Sequence, residues 1–275
     1  MHDPDLYTFV DPQESGLSQN LYRMVHALRR EALAPVLAAD GAEEGTAIGY
    51  ASAVRDPDGR YLMYYMSHQD GVLRLAVSAD ARSWQRCGPA LAVDQRRAVD
   101  NVGIVPVGGA VDAWFAGARW AGYVYGGGLF LLRSTDGRQL ELRTPGILPG
   151  VGDRSSLFYD ELEDQYSLIS RPSGRLPGFR PGELQRVRVA NLWRSRDLVD
   201  WRNLGIVHGY DERDRHDVEI YGMQPFRHGR GFLAWVEVYY RGCERLETQL
   251  AHSPDGERWT RVEPRQAVLP MGAEG

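Results

Sequence analysis

The chain contains no lysine: all 32 of its fixed cations are arginines. That excludes every chemistry that needs an ε-amine, from Schiff-base catalysis to the phosphate grip of a P-loop. Cysteine is nearly as scarce. Cys87 and Cys243 form neither a disulfide framework nor a CxxC metal pair. A basic excess is also missing: 37 acidic side chains face 32 basic ones, a formal net charge of −5, which argues against a dedicated nucleic-acid binder. The longest uncharged run, residues 120–132, is glycine-rich and short of the roughly 20 residues that a membrane-spanning helix needs. The start, Met1-His2-Asp3-Pro4-Asp5, is not the basic head of a signal peptide. These absences lead to the expectation of a soluble, cytoplasmic protein with no nucleic-acid or membrane partner. The use of arginine throughout points to a GC-rich bacterial genome.

What the sequence does have is a repeat. Ser78-Ala79-Asp80 is followed by Trp84, Ser134-Thr135-Asp136 by Leu140, Ser195-Arg196-Asp197 by Trp201 and Ser253-Pro254-Asp255 by Trp259, the bulky residue each time the sixth after the serine. Successive copies lie 56, 61 and 58 residues apart, and a period of this size marks a repeat architecture. Upstream of each copy is a second turn: Asp56-Pro57-Asp58-Gly59, Gly108-Gly109-Ala110-Val111-Asp112, the stretch from Asp160 to Asp164, and His228-Gly229-Arg230-Gly231. Aromatic and β-branched residues follow each turn, Ala113-Trp114-Phe115 in the second copy, which is the pattern of a hairpin. Each unit therefore holds two hairpins, or four antiparallel strands A to D, the content of a β-propeller blade.

The expected fold is all-β: a single β-propeller domain over residues 1–275, with blades at about 45–93, 98–148, 151–207 and 216–269. The Asp-Gly turns join A to B and the Ser-x-Asp turns join C to D, so both lie on one face. The B–C loops share the opposite face with the starts of the A strands, beside the axis. Pro35-Val36-Leu37-Ala38-Ala39-Asp40 resembles Pro89-Ala90-Leu91-Ala92-Val93-Asp94. Residues 1–40 are accordingly expected to close the ring as the outer strand of an incomplete fifth blade, or to form a short helix over 24–34 that Pro35 ends.

With these motifs in place, the sequence resembles the five-bladed propellers of the glycoside hydrolase family 32 and 43 superfamily, and above all the bacterial family 32-like branch. The resemblance spans roughly residues 30–275. It rests on Asp58-Gly59-Arg60-Tyr61-Leu62-Met63-Tyr64-Tyr65, the four Ser-x-Asp turns, Gly152-Asp153-Arg154 with Tyr159-Asp160, Asp217-Val218-Glu219-Ile220-Tyr221-Gly222-Met223, and Arg265 with Leu269-Pro270 and Gly272. It implies a glycoside hydrolase that acts on a small-molecule or oligosaccharide substrate. No cofactor is implied, a central structural ion aside, and the chain is a candidate homo-oligomer. Such enzymes place three carboxylates near the starts of inner strands. One protonated carboxyl serves the leaving oxygen, an ionised one serves water or the anomeric carbon, and their environments hold their pKa values apart.

Carried onto matching positions, the resemblance makes Glu219 the acid, Asp153 its partner, and Glu44 or Asp100 the third carboxylate. Asn101, Arg154, His216, Asp217 and Tyr221 fall at A-strand starts. Arg119 and Trp120 are assigned to the second blade's B–C loop and Arg171 to a third-blade insertion reaching Gln185. All are expected to bind substrate, since aromatic rings stack on apolar sugar faces and arginines fork onto hydroxyls or carboxylates. An arginine-rich upper face also suits an acidic sugar or a phosphate. Each carboxylate has a purely structural alternative: Asp153 beside Arg154 as an ion pair, the others as turn formers. Asp211-Glu212-Arg213-Asp214-Arg215 reads as a solvated loop, and Trp84, Trp201 and Trp259 as packing residues. The Asn-Asp-Pro motif of the sucrose-cleaving members is absent; Arg55-Asp56-Pro57 belongs to an A–B turn. Two other functions stay open: a non-hydrolytic propeller enzyme of specialised metabolism using a carboxylate or histidine, and a sugar-binding propeller whose carboxylates are neutralised by arginines.

Overall fold

Hairpin follows hairpin through the described residues. The computed structural model describes residues 25–29, 31, 34–91, 101–126, 128–143, 148, 151–177 and 184–269, with backbone alone at 173–177, 184 and 185. The first sheet runs β1 (Ile48–Arg55), β2 (Tyr61–Ser67), β3 (Leu73–Ser78), β4 (Gln85–Pro89). The second runs β5 (Asn101–Pro106), β6 (Trp120–Tyr125), β7 (Leu129–Ser134), β8 (Glu141–Leu142). The third contains β9 (Ser155–Asp160), β10 (Gln165–Ser170), β13 (Ala190–Ser195) and β14 (Arg202–His208), and a separate hairpin, β11 (Ser173–Pro177) with β12 (Leu184–Arg188), is inserted between β10 and β13. The fourth runs β15 (Val218–His228), β16 (Gly231–Tyr240), β17 (Arg245–Ser253), β18 (Thr260–Arg261). Each sequence repeat has become one four-stranded antiparallel blade.

The Ser-x-Asp turns join the third and fourth strands of every blade, as their spacing predicts, and one set of bonds closes all four. The serine Oγ accepts a backbone N–H from Asp80 (3.2 Å), Gly137 (2.9 Å), Leu198 (2.9 Å) or Gly256 (2.8 Å). The aspartate Oδ1 accepts two more, as Asp80 does from Arg82 and Ser83 and Asp255 from Glu257 and Arg258. These backbone donors, led by Ser83, hold the Asp80 carboxyl down at about 2. The tryptophans add a bond beyond packing. Trp84, Trp201 and Trp259 each donate the indole N–H to the carbonyl three residues back. The residue three after the serine is left-handed in every copy: Ala81, Gly137, Leu198 and Gly256, with φ from 60 to 76°. At Gly137 a side chain would also collide with the core, its Cβ falling 2.7 Å from Leu62 Cδ1 and 2.9 Å from Trp120 Nε1. Gly137→Ala is expected to cost about 1–3 kcal/mol, read from urea unfolding as a lower midpoint at unchanged m.

Two expectations need correction. In the second blade the strand does not begin at Ala113. Asp112 Oδ1 caps the Trp114 N–H at 2.9 Å, and Ala113–Phe115 forms a 3-10 turn, so the second strand begins at Trp120. In the N-terminal segment, described residues 34–40 form no strand and residues 25–29 no helix.

The chain divides into two compact units: residues 31–167 with 195–201, and the remainder. The first unit has two apolar clusters. One gathers Leu62, Tyr64, Leu75, Trp120, Leu132 and Leu140; the other joins Val105, Phe115, Leu131 and Tyr166 to Leu198.

In the second unit the run Asp211–Arg215 is largely exposed, as expected of a solvated loop, and is also held by ion pairs. Asp211 and Asp214 pair with Arg265 at 2.5 and 3.3 Å, and Asp214 also binds the Arg261 guanidinium, which is 1% exposed. The Arg265 hydrogen bond leads the causes that hold Asp211 down at about 2. Beside this network the buried His208 has no hydrogen-bond partner at Nε2. Burial, reinforced by the Arg261 charge, pushes its pKa from 6.5 down to about 3. Between those values the unfolded chain binds a proton that the folded chain refuses. The stability His208 contributes is therefore complete above pH 6.5 and lost as the pH falls toward 3, at up to about 1.4 kcal/mol per unit. Thermal melts from pH 7 to 4 should show this slope, and His208→Gln should flatten it.

Candidate functional site

The second unit brings several of the expected residues together on β15 and β16. Glu219 lies directly opposite Tyr239 in the strand register, so the two side chains share a face. A bulge between Ile220 and Gly222 leaves Tyr221 without a cross-strand partner, and its ring centroid lies 5.5 Å from that of Tyr239. A bulge is a common way to re-aim a side chain at a site. Glu219 is 4% exposed, and two guanidiniums converge on it. Arg188 Nη1 donates to Oε2 at 2.5 Å, and Arg241 Nε lies 3.8 Å from Oε1. Arg188 closes β12, where its neighbours Val187 and Val189 are buried. Arg171 stacks on the Tyr221 ring at 4.1 Å, and Arg188 lies 5.5 and 5.6 Å from the Tyr221 and Tyr239 centroids. The result is a buried carboxylate ringed by two tyrosines and three arginines. A guanidinium only donates, so Oε2 is committed as an acceptor. Oε1, the more loosely held oxygen, is the one able to meet a substrate.

Asp217 stands one residue before β15 but works differently. Arg215 forks onto it at 3.1 and 3.0 Å, and the Gly242 N–H donates to Oδ2 at 3.1 Å. Burial pushes its pKa up, but the Gly242 N–H and Arg215 outweigh this and hold it low. It fastens the β16–β17 turn to the head of β15. His216 is exposed in the preceding turn.

In the first unit Glu44 is 1% exposed, four residues ahead of β1. Tyr65 Oη donates to its Oε1 at 2.5 Å, Arg86 reaches both oxygens at 3.1 and 3.2 Å, and the Asp40 N–H donates at 3.2 Å. Burial raises its pKa, yet Arg86 and Tyr65 prevail and hold it low. So supplied with donors, Glu44 anchors the segment before β1 onto β2 and β4. Asn101, the first residue of β5, donates its amide to the Ser155 carbonyl at 3.1 Å, and the Tyr123 hydroxyl donates to the same oxygen. Asn101 therefore positions the head of β9. Asp153 and Arg154, both partly buried, immediately precede that strand. Asp100 lies outside the described residues.

Arg119 and Trp120 require a further correction: they are not in a B–C loop. Trp120 pairs with Pro106 at the far end of β5 from Asn101 and is 2% exposed in the core. Arg119 lines a cleft of about 710 Å³ with Arg55, Asp56 and Pro57, on the side of the A–B turns. Arg188, Arg241 and Tyr239 were not identified from the sequence. Arg241 is adjacent to the β16–β17 turn, where the blade pattern invites a search.

Among the described residues no group of three or more His, Cys, Asp or Glu side chains is placed to hold a metal ion, no helix is long and apolar enough to cross a membrane, and Cys87 and Cys243 are free and exposed.

No protein-family model and no curated protein matches the chain. Among solved structures, a glycoside hydrolase aligns over 81% of this chain and 74% of its own, with a TM-score of 0.61 and 14% identity. An N-acetylgalactosamine deacetylase from F. plautii, in complex with blood group B trisaccharide, aligns over 86% and 75%, with a TM-score of 0.61 and 14% identity. A thermostable family-43 glycoside hydrolase aligns over 80% and 73%, with a TM-score of 0.56 and 9% identity. The chain has the β-propeller fold of these glycoside hydrolase structures.

Proposed function

We propose that this propeller-fold chain is a glycosidase-like protein acting on a small glycoside or oligosaccharide, with Glu219 as its general acid. The observation that carries the reading is Glu219 itself: a buried carboxylate on the first strand of a blade, beside two tyrosine rings and the arginine forks of Arg188 and Arg241. Tyrosine faces suit the apolar face of a sugar, and a carboxyl beside them suits protonation of a glycosidic oxygen. In this mechanism Oε1 hands its proton to the leaving oxygen while Arg188 keeps Oε2 fixed. Asp153, the partner expected from the sequence, stands just ahead of β9 in the other compact unit, and its role is tested by its own variant. Support also comes from the solved structures, two of whose descriptions name glycoside hydrolases and a third a deacetylase in complex with a trisaccharide.

A specific observation favours a second reading, a sugar-binding propeller without hydrolysis. Glu44, Asp217 and Glu219 are each held by an arginine. The two readings separate on a panel of aryl-glycosides assayed with the parent chain, Glu219→Gln and Asp153→Asn. Turnover that falls in both variants supports the hydrolase. Turnover equal in all three overturns the residue assignment, and binding of saccharides with no turnover favours the second reading.

A further inference from the structure

We propose that the saccharide recognised at Glu219 is anionic, carrying a carboxylate or phosphate group that docks on the outer faces of Arg188 and Arg241. This rests on the reading of the Glu219 cluster as the carbohydrate site. Glu219 is 4% exposed, whereas Arg188 and Arg241 above it are 39% and 43% exposed. Most of the carboxylate is thus buried while both arginine side chains reach solvent, with N–H groups that Glu219 does not take up. One carboxylate cannot neutralise two guanidiniums, so the pair keeps a net positive charge. Arg186 extends it. It is exposed and two residues before Arg188 on β12, hence on the same face of the strand. Two more carboxylates neighbour this face among the described residues: Asp217, two residues before Glu219 and paired with Arg215, and Glu237, two residues from Tyr239 on β16.

Excess positive charge over an aromatic floor fits a sugar bearing an anion better than a neutral sugar, because a guanidinium fork matches the two oxygens of a carboxylate or phosphate. The anion would share Arg241 most readily, since that arginine lies 3.8 Å from Glu219 and its donors are less committed than those of Arg188.

Calorimetric titration of the full chain tests this with matched pairs: oligogalacturonate against its methyl ester, glucuronide against glucoside, and sugar phosphate against the free sugar. At least one acid is expected to bind about 10- to 100-fold tighter than its neutral counterpart. Arg241→Gln should remove that preference, weakening the acid far more than its neutral counterpart, and Arg241→Lys should restore it in part. The carboxylate and phosphate pairs identify which anion is taken. Equal binding within every pair, or no binding to any probe, overturns the inference, as does a preference that Arg241→Gln and Arg188→Gln both leave intact. Acid-selective binding without turnover removes the hydrolase reading and supports this inference. Hydrolysis of neutral glycosides alone does the reverse.

Discussion

Glu219→Gln is expected to lower kcat/KM by about 10²–10⁴-fold on any aryl-glycoside the parent chain cleaves, the usual contribution of a positioned general acid. Glutamine has nearly the same shape, and its amide oxygen can still accept from Arg188, so the site keeps its geometry and loses the acidic proton. The loss should fall on kcat. A rise in KM at constant kcat would instead make Glu219 a binding residue. Stability is a separate control. Arg188 is 39% exposed, so water already screens its charge, and the melting free energy should change by no more than about 1 kcal/mol. Parent-like turnover in a well-folded Glu219→Gln chain would exclude the assignment.

Asp214→Ala should be the most damaging change to folding. It removes the closest carboxylate from Arg261, a guanidinium 1% exposed, and leaves Asp211 at 4.0 Å as its nearest acidic partner. Two nitrogens of Arg261, Nε and Nη1, have no hydrogen-bond partner even before the change. A buried charge stripped of its partner costs about 3–5 kcal/mol. For a chain of this size that corresponds to a fall in Tm on the order of 10 °C. The discriminating experiment is a double-mutant cycle. Asp214→Ala with Arg261→Met removes both charges and should recover most of the loss. A single-variant loss below about 1 kcal/mol would show that water reaches Arg261.

The blades were legible because their turns are closed locally. In each Ser-x-Asp turn the donors and acceptors lie within three residues of one another, so their spacing in the sequence is their geometry. The second blade misled for the same local reason. Gly109 and the aromatic Trp114-Phe115 pair imitate a hairpin, and only the Asp112 cap turns them into a 3-10 segment. Glu219 could be picked out by position, but its surroundings could not. Arg188 is 31 residues away in sequence, beyond an insertion whose register no periodicity gives. Asp211 to Arg215 reads as a solvated loop because the charges alternate, and it is largely exposed, but its ion pairs were hidden. Its partners Arg261 and Arg265 lie 47 to 54 residues further along, a distance at which sequence pattern is silent.

The β11–β12 hairpin has a consequence for how such a protein diversifies. It is spliced into the third blade between β10 and β13, and those strands pair with each other without it. Surface insertions of this kind tolerate changes in length and composition that blade strands do not. Yet its last residue, Arg188, is the one that grips Glu219. Part of the charge beside Glu219, that of Arg186 and Arg188, is therefore written on the most replaceable segment of the blade. A lineage could exchange one hairpin for another and change the ligand's required charge while the propeller scaffold stayed as it was.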